Sequence, residues 1–187
     1  MAKLFFENKF ILTRKLHKEY CKATFHLTRK RQKALAFILS ALCLALALVF
    51  LFVLKIRLGI LLAGIFAAYF FYMGIWGYTF YEWIDMGRLK DEFGPAVVMV
   101  VSFFSDRVAL RVNEKHLAFK YSSITTSLET ENLIILLVNA EGIIEHGQAI
   151  YKKAFEKEED ILAFKKYIND KTGKAIFTLE SDENKKE

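Results

Sequence analysis

Apolar side chains run almost unbroken through residues 34–81, and after Pro95 the period changes to a strand-like one, with alternation from Val108. Ala34 to Leu54 and Leu58 to Tyr81 carry no charged residue, and the polar groups of the first run are Ser40 and Cys43. A helix needs roughly 20 apolar residues to cross a hydrocarbon core of about 30 Å. Helices of soluble proteins seldom stay apolar on every side for so long. The pattern therefore predicts a membrane-embedded helical hairpin, with transmembrane helices over 34–54 and 58–81. Lys55-Ile56-Arg57 leaves room only for a tight reversal between them. Ala36/Ser40, Ala41/Ala45 and Gly64/Ala68 are small pairs four apart, the spacing that lets helix backbones approach closely. Tyr69, Tyr72, Trp76, Tyr78, Tyr81 and Trp83 fall toward the second exit, where aromatic rings anchor a helix at headgroup depth.

The second helix is expected to continue to about residue 93. Trp83, Met86, Leu89 and Phe93 keep an apolar stripe among charged residues, and Gly94-Pro95 is a strong stop. The stripe should pack on the domain that follows. Strands are predicted over Ala96–Phe104, around Val108–Val112, around Leu117–Tyr121, through Ile124–Leu128, over Leu133–Val138 and over Ile143–Tyr151. Leu133–Val138 is apolar on both faces and should be central. Asn113-Glu114 and Asn139-Ala140-Glu141 read as turns. A helix should follow over about 156–171, with Ile161, Phe164 and Ile168 on one face and Gly173 at its end. Ala175–Leu179 could add a short strand before a charged tail.

Ahead of the hairpin, Lys3–Leu12 reads as a strand, and Thr13 can cap a helix bearing Leu16, Tyr20, Ala23 and Leu27 at helical spacing. That basic helix either rests on headgroups or serves as a solvated linker. The chain thus divides into 1–33 (strand and basic helix), the two spans, a domain over 96–173 and a tail over 174–187. An antiparallel meander closed by one helix is an α+β module.

Charge fixes an orientation. Residues 1–33 hold ten Lys or Arg against Glu7 and Glu19, a net of +8, whereas residues 82–187 hold 15 basic and 19 acidic residues, a net of −4. Arg29, Lys30, Arg31 and Lys33 crowd the start of the first span and outweigh Lys55 and Arg57, so both termini should be cytoplasmic. Positive charge beside a span points to topology and anionic lipid, not to nucleic acid, for which no reading motif is present. The first run starts too late and is too long for a cleaved secretory signal.

Several segments carry a resemblance. Phe103-Phe104-Ser105-Asp106, Phe119-Lys120-Tyr121-Ser122-Ser123-Ile124, Glu129-Thr130-Glu131-Asn132-Leu133-Ile134-Ile135-Leu136 and Lys152-Lys153-Ala154-Phe155 follow an order of aromatic-rich strand, acidic turn, apolar strand and basic-aromatic exit. In this the chain resembles the YcxB-like family of small bacterial two-span membrane proteins. The resemblance implies a bacterial cell membrane location. It also implies a C-terminal domain similar to pleckstrin-homology modules, an antiparallel sheet with a C-terminal helix. It brings no catalytic residues. The bulky run Val97–Phe104 departs from the family pattern.

The search for chemistry returns no catalytic, cofactor-binding or metal residues. His17, His26, His116 and His146 show no zinc-ligand spacing with a cysteine partner, and are read as exposed or hydrogen-bonded structural histidines. His116 and His146 lie on strands whose pairing could bring them together. Cys21 and Cys43 are not expected to form a disulfide; Cys21 is a plain thiol or an acylation site. Glu158, Glu159 and Asp160 suit a helix start, and Ser122 and Ser123 have no visible base. No ionisable group interrupts the spans, so no proton or ion path is expected. The expected function is a membrane-anchored cytoplasmic interaction module, an adaptor or regulator without catalysis or cofactor. Its partners are the bilayer and a protein at the domain, with self-association possible through the hairpin. The alternative is an immunity or membrane-stress protein whose hairpin meets a membrane-acting toxin.

Overall fold

The computed structural model describes residues 3–139 and 147–179. The chain forms two compact units, one of residues 24–84 and one of residues 1–23 with 85–187.

The 24–84 unit is an apolar helical hairpin. Helix α1 (Arg14–Thr28) ends within it, α2 runs over Lys30–Val49, and α3 over Arg57–Phe93. The last turn before the reversal, Phe50–Leu54, is π-helical, and Lys55 closes it in the left-handed conformation (φ 52°). Two helices here are long and apolar enough to cross a membrane, Lys30–Leu54 with 25 residues and Arg57–Phe93 with 37. In their most apolar stretches only 6% and 17% of the residues are buried in protein. The helices meet along small residues. Ala63 and Ala67 of α3 are buried, and the Ser40 hydroxyl donates to the Ala67 carbonyl at 2.9 Å. Gly74 admits Phe37, whose ring would lie 2.9 Å from an added Cβ. The expected pairs Ala41/Ala45 and Gly64/Ala68 instead face outward, because one residue of helix rotation moves a pair by about 100°. α3 kinks at Trp76 (φ −111°, ψ 15°), where Thr79 takes the Trp76 carbonyl at 2.9 Å and Gly77 follows.

The second unit is α+β, as expected, but its strands form two sheets rather than one antiparallel meander. Strands β1 (Leu4–Ile11), β2 (Val98–Phe104), β3 (Val108–Val112) and β4 (Lys115–Phe119) pair antiparallel in that order. Strands β5 (Ile124–Glu129), β6 (Leu133–Val138), β7 (Gln148–Tyr151) and β8 (Ile176–Thr178) form the other, in the order β7-β6-β5-β8. β8 lies parallel to β5, which an all-antiparallel sheet would not allow. It comes from the segment assigned to the tail. The return crossover is made by α4 (Glu158–Thr172), which ends at Gly173 in the left-handed region (φ 65°). β6 is central, with Leu133 to Leu136 fully buried. Of the strand expected over Ile143–Tyr151, Gln148–Tyr151 forms it, and residues 143–146 lie outside the described residues.

Three joints tie the elements together. Asn8 of β1 is fully buried, and its side-chain amide both donates to the Tyr151 carbonyl and accepts from the Tyr151 N–H, each at 3.0 Å. A side chain here does the work of a strand and binds the first sheet to β7. Asn113, at φ 49° in the β3–β4 turn, accepts the Val98 N–H at 2.8 Å and donates to the Phe93 carbonyl at 2.6 Å, closing the step from α3 into β2. Glu19 on α1 accepts hydrogen bonds from the Asn132 N–H (2.8 Å), the Asn132 side chain (3.0 Å) and the Thr130 hydroxyl (2.6 Å).

α1 is therefore neither a headgroup helix nor a linker over its first part. Thr13 caps it, accepting the Leu16 N–H at 3.3 Å, and Leu16, Tyr20 and Ala23 pack on the domain core. Leu27 falls outside this face and is exposed. The end of α3 packs there too, through Leu89 and Phe93, and Met86 before them is buried. Trp83, expected in the same stripe, is 65% exposed.

A charged triad braces the second sheet. Glu129 receives Lys152 and Lys165, each at 2.7 Å. Burial alone would raise the Glu129 carboxyl, but the two ammonium groups outweigh it and hold the group below its ordinary 4.5. A folded-state value below the unfolded one adds stability above pH 4.5, and that share is lost as pH falls through the lowered value. Glu129→Gln should thus lower the melting temperature at neutral pH, and its deficit against the native chain should shrink on acidification below the carboxylate range. Thermal unfolding at both pH values checks this.

Candidate functional site

Two places in the domain gather groups that could act. The first is the outer face of the first sheet. The registers align Glu7, Ser102, Ala109 and Ala118 in one row across four strands, and Lys9, Val100, Arg111 and His116 in the next. Side chains of one sheet face alternate along each strand, so both rows point the same way. The small residues at their centre leave a shallow depression of about 460 Å³, rimmed by Phe104, Arg107, Arg111 and His116. Ser102 donates to Glu7 at 3.3 Å, and Arg107 sits 3.6 Å from Asp106. Arg111 and His116 are exposed and form no ion pair among the described residues. β4 borders this face and is the last strand of its sheet, so its outer backbone edge has no partner strand among the described residues.

The second place was not anticipated. His17 and Cys21 lie one turn apart on α1, and the Cys21 thiol sits 3.6 Å from His17 Nε2. Asp85 of α3 completes a group whose ligand atoms all fall within 4.8 Å of one another. His17 and Cys21 are 6% and 7% exposed, and Asp85 is half-buried. Tyr20 stacks beside the His17 ring at 6.1 Å and donates to the Gly147 carbonyl at 3.3 Å. His17 and Cys21 belong to no zinc-ligand spacing of a histidine pair with a cysteine partner. Their i, i+4 relation was the available signal, since it places both on one helix face. The third member comes from beyond the hairpin and has no local signature.

The remaining candidates separate. His116 stands on the exposed face of β4, and His146 lies outside the described residues. His26 contacts Lys33 at 3.0 Å, and burial first and that ammonium second lower its pKa. Cys43 is a half-buried free thiol on α2. Glu158, Glu159 and Asp160 form the first turn of α4, where Asp160 accepts the Lys157 N–H at 3.2 Å as a cap. Ser122 and Ser123 belong to a short 3-10 turn. Tyr121 and Tyr167 both donate to the Phe104 carbonyl, at 2.7 and 2.8 Å. Burial, then the Tyr167 contact, raises the Tyr121 phenol far above its ordinary value, so it stays protonated as a structural donor. Comparison with known proteins finds no matching family model, no matching curated protein and no matching solved structure.

Proposed function

We propose that this chain is a membrane-anchored interaction module, not an enzyme, which holds a binding surface at the cytoplasmic face of a bilayer. The pairing of β1 with β2 carries the reading, because the whole hairpin is inserted between these neighbouring strands. Residues 4–11 and 98–104 must therefore share one side of any membrane. Two crossings meet that condition and one does not. The large exposed aliphatic and aromatic side chains of α2 and α3 suit lipid contact, since monomeric soluble surfaces rarely expose so much contiguous apolar area. The basic flank at Arg29–Lys33 favours the cytoplasm for the domain. A four-strand meander, then β5-β6-β7 and a closing helix, favours the pleckstrin-like comparison, with β8 and the hairpin as additions.

The binding surface in this reading is the depression and the β4 edge beside it. An extended segment can add to an unpaired edge through backbone hydrogen bonds, and side chains crossing the face then set specificity. Arg107, Arg111 and His116 against Glu7 favour an acidic segment of a protein partner. Self-association through the hairpin would fall on the outward pairs Ala41/Ala45 and Gly64/Ala68.

Reporter fusions at Lys3, beside Ile56 and at Glu187 should place the two termini together and the hinge opposite. Termini on opposite sides would end the anchoring proposal. Photocrosslinking from Ala118 in native membranes should capture a protein. The double change Arg107→Glu with Arg111→Glu should weaken that capture by about tenfold or more, about 1.4 kcal/mol, with an unchanged melting temperature. Undiminished capture would remove this face from the reading.

A further inference from the structure

We propose that His17, Cys21 and Asp85 form a binding site for a divalent transition-metal ion of the zinc type. The ligand chemistry is mixed imidazole, thiolate and carboxylate, a set that suits zinc and disfavours magnesium or calcium. The spacing fits as well. Zinc bonds of about 2.3 Å to sulfur and about 2.0–2.1 Å to nitrogen, at a tetrahedral angle, put the two ligand atoms about 3.6 Å apart. Cys21 Sγ and His17 Nε2 stand 3.6 Å apart.

A nucleophilic cysteine relay is the competing use of these residue types, and the geometry disfavours it. In a relay the thiol and the carboxylate engage opposite nitrogens of the imidazole, which separates them by roughly 7 Å. Here all three ligand atoms lie within 4.8 Å, converging on one point instead of lining up through the ring. A thiolate and a carboxylate also neutralise a divalent ion, which a partly buried site requires. Three protein ligands leave a fourth position for water, reached from the half-buried Asp85 side.

The ligands are held before any ion arrives. Glu19 fixes α1 to the Thr130–Asn132 turn, and Tyr20 flanks the His17 ring. Leu89 packs the end of α3 on the domain core, and Met86, next to Asp85, is buried. An ion here would clasp α1 to α3 where the chain leaves the domain for the hairpin and where it returns.

The test uses the full chain in detergent, stripped with a chelator and titrated with Co²⁺. One equivalent should bind with a near-ultraviolet thiolate-to-cobalt band and the strong visible bands of tetrahedral cobalt. Cys21→Ser should abolish the thiolate band and weaken binding by about 100-fold or more, with circular dichroism unchanged. Asp85→Asn, an isosteric change at a half-buried position, should weaken binding by at least about tenfold while keeping the thiolate band and the native circular dichroism. The proposal is overturned if the native chain takes up no Co²⁺. It is also overturned if the thiolate band is missing, or if Cys21→Ser or Asp85→Asn binds as tightly as the native chain.

Discussion

Removing residues 3–12 should leave a chain with no cooperative unfolding transition, and supplying that segment as a separate peptide should restore one. β1 is sequence-remote from its partner and ends its sheet, yet it buries Asn8 and Phe10. It pairs along β2 from Leu4 to Ile11 and reaches β7 through Asn8. Its loss would uncover Val101 and Phe103, both fully buried, and would strip Phe10 and Asn8 from the core. It would also remove the side-chain acceptor of the Tyr151 N–H. Domains have net stabilities of about 5–15 kcal/mol, so losing a paired strand exceeds what most can absorb. Scanning calorimetry and far-ultraviolet circular dichroism of the truncated chain measure this. An unchanged melting temperature would contradict the pairing.

The largest effect of a single side chain should come from Phe164→Ala, about 3–5 kcal/mol. Phe164 is fully buried on α4, and its ring meets Phe103 at 4.8 Å, Phe155 at 5.4 Å and Phe6 at 5.5 Å. The first and last of these belong to β2 and β1, so one ring fastens the closing helix to the strands on both sides of the insertion. The denaturant midpoint should fall with little change in slope, the mark of lost stability without altered compactness. Leu162→Ala, two residues away at a 63% exposed position, should shift stability by no more than about 0.5 kcal/mol. Equal effects at the two positions would contradict the packing.

Much of this architecture could be read from residue order, and particular physical causes hid the rest. The apolar runs, the Thr13 cap and the stops at Gly94 and Gly173 are local signals, and each falls where expected. The break between the two sheets is not local in that sense. Alternation continues from Leu117 to Leu128 as if one sheet persisted, while the turn at Tyr121–Ser123 redirects the chain and Tyr121 bonds back to Phe104. Nothing in Ala175–Leu179 states a direction; the α4 crossover makes β8 parallel. The small-residue seam of the hairpin was legible in kind but misplaced in phase, since Ala63 and Ala67 serve where Gly64 and Ala68 were expected. His17 and Cys21 announced their shared face by spacing, but Asp85 joins them only through the tertiary path of α3.

The insertion between β1 and β2 also sets the order of events during synthesis. β1 emerges first, yet its partner strand cannot pair until residues 12–97 have been added, several seconds later at roughly 5–20 residues per second. Through that interval the apolar side of β1 lacks its cover, while the hairpin leaves the ribosome and seeks its own environment. A nascent chain that crosses a bilayer once instead of twice would strand β1 and β2 on opposite sides, with no route to the sheet. In the membrane-anchored reading proposed above, completion of the sheet would act as a checkpoint on insertion. A protease that removes unfolded domains would clear wrongly threaded copies without recognising the membrane segment at all.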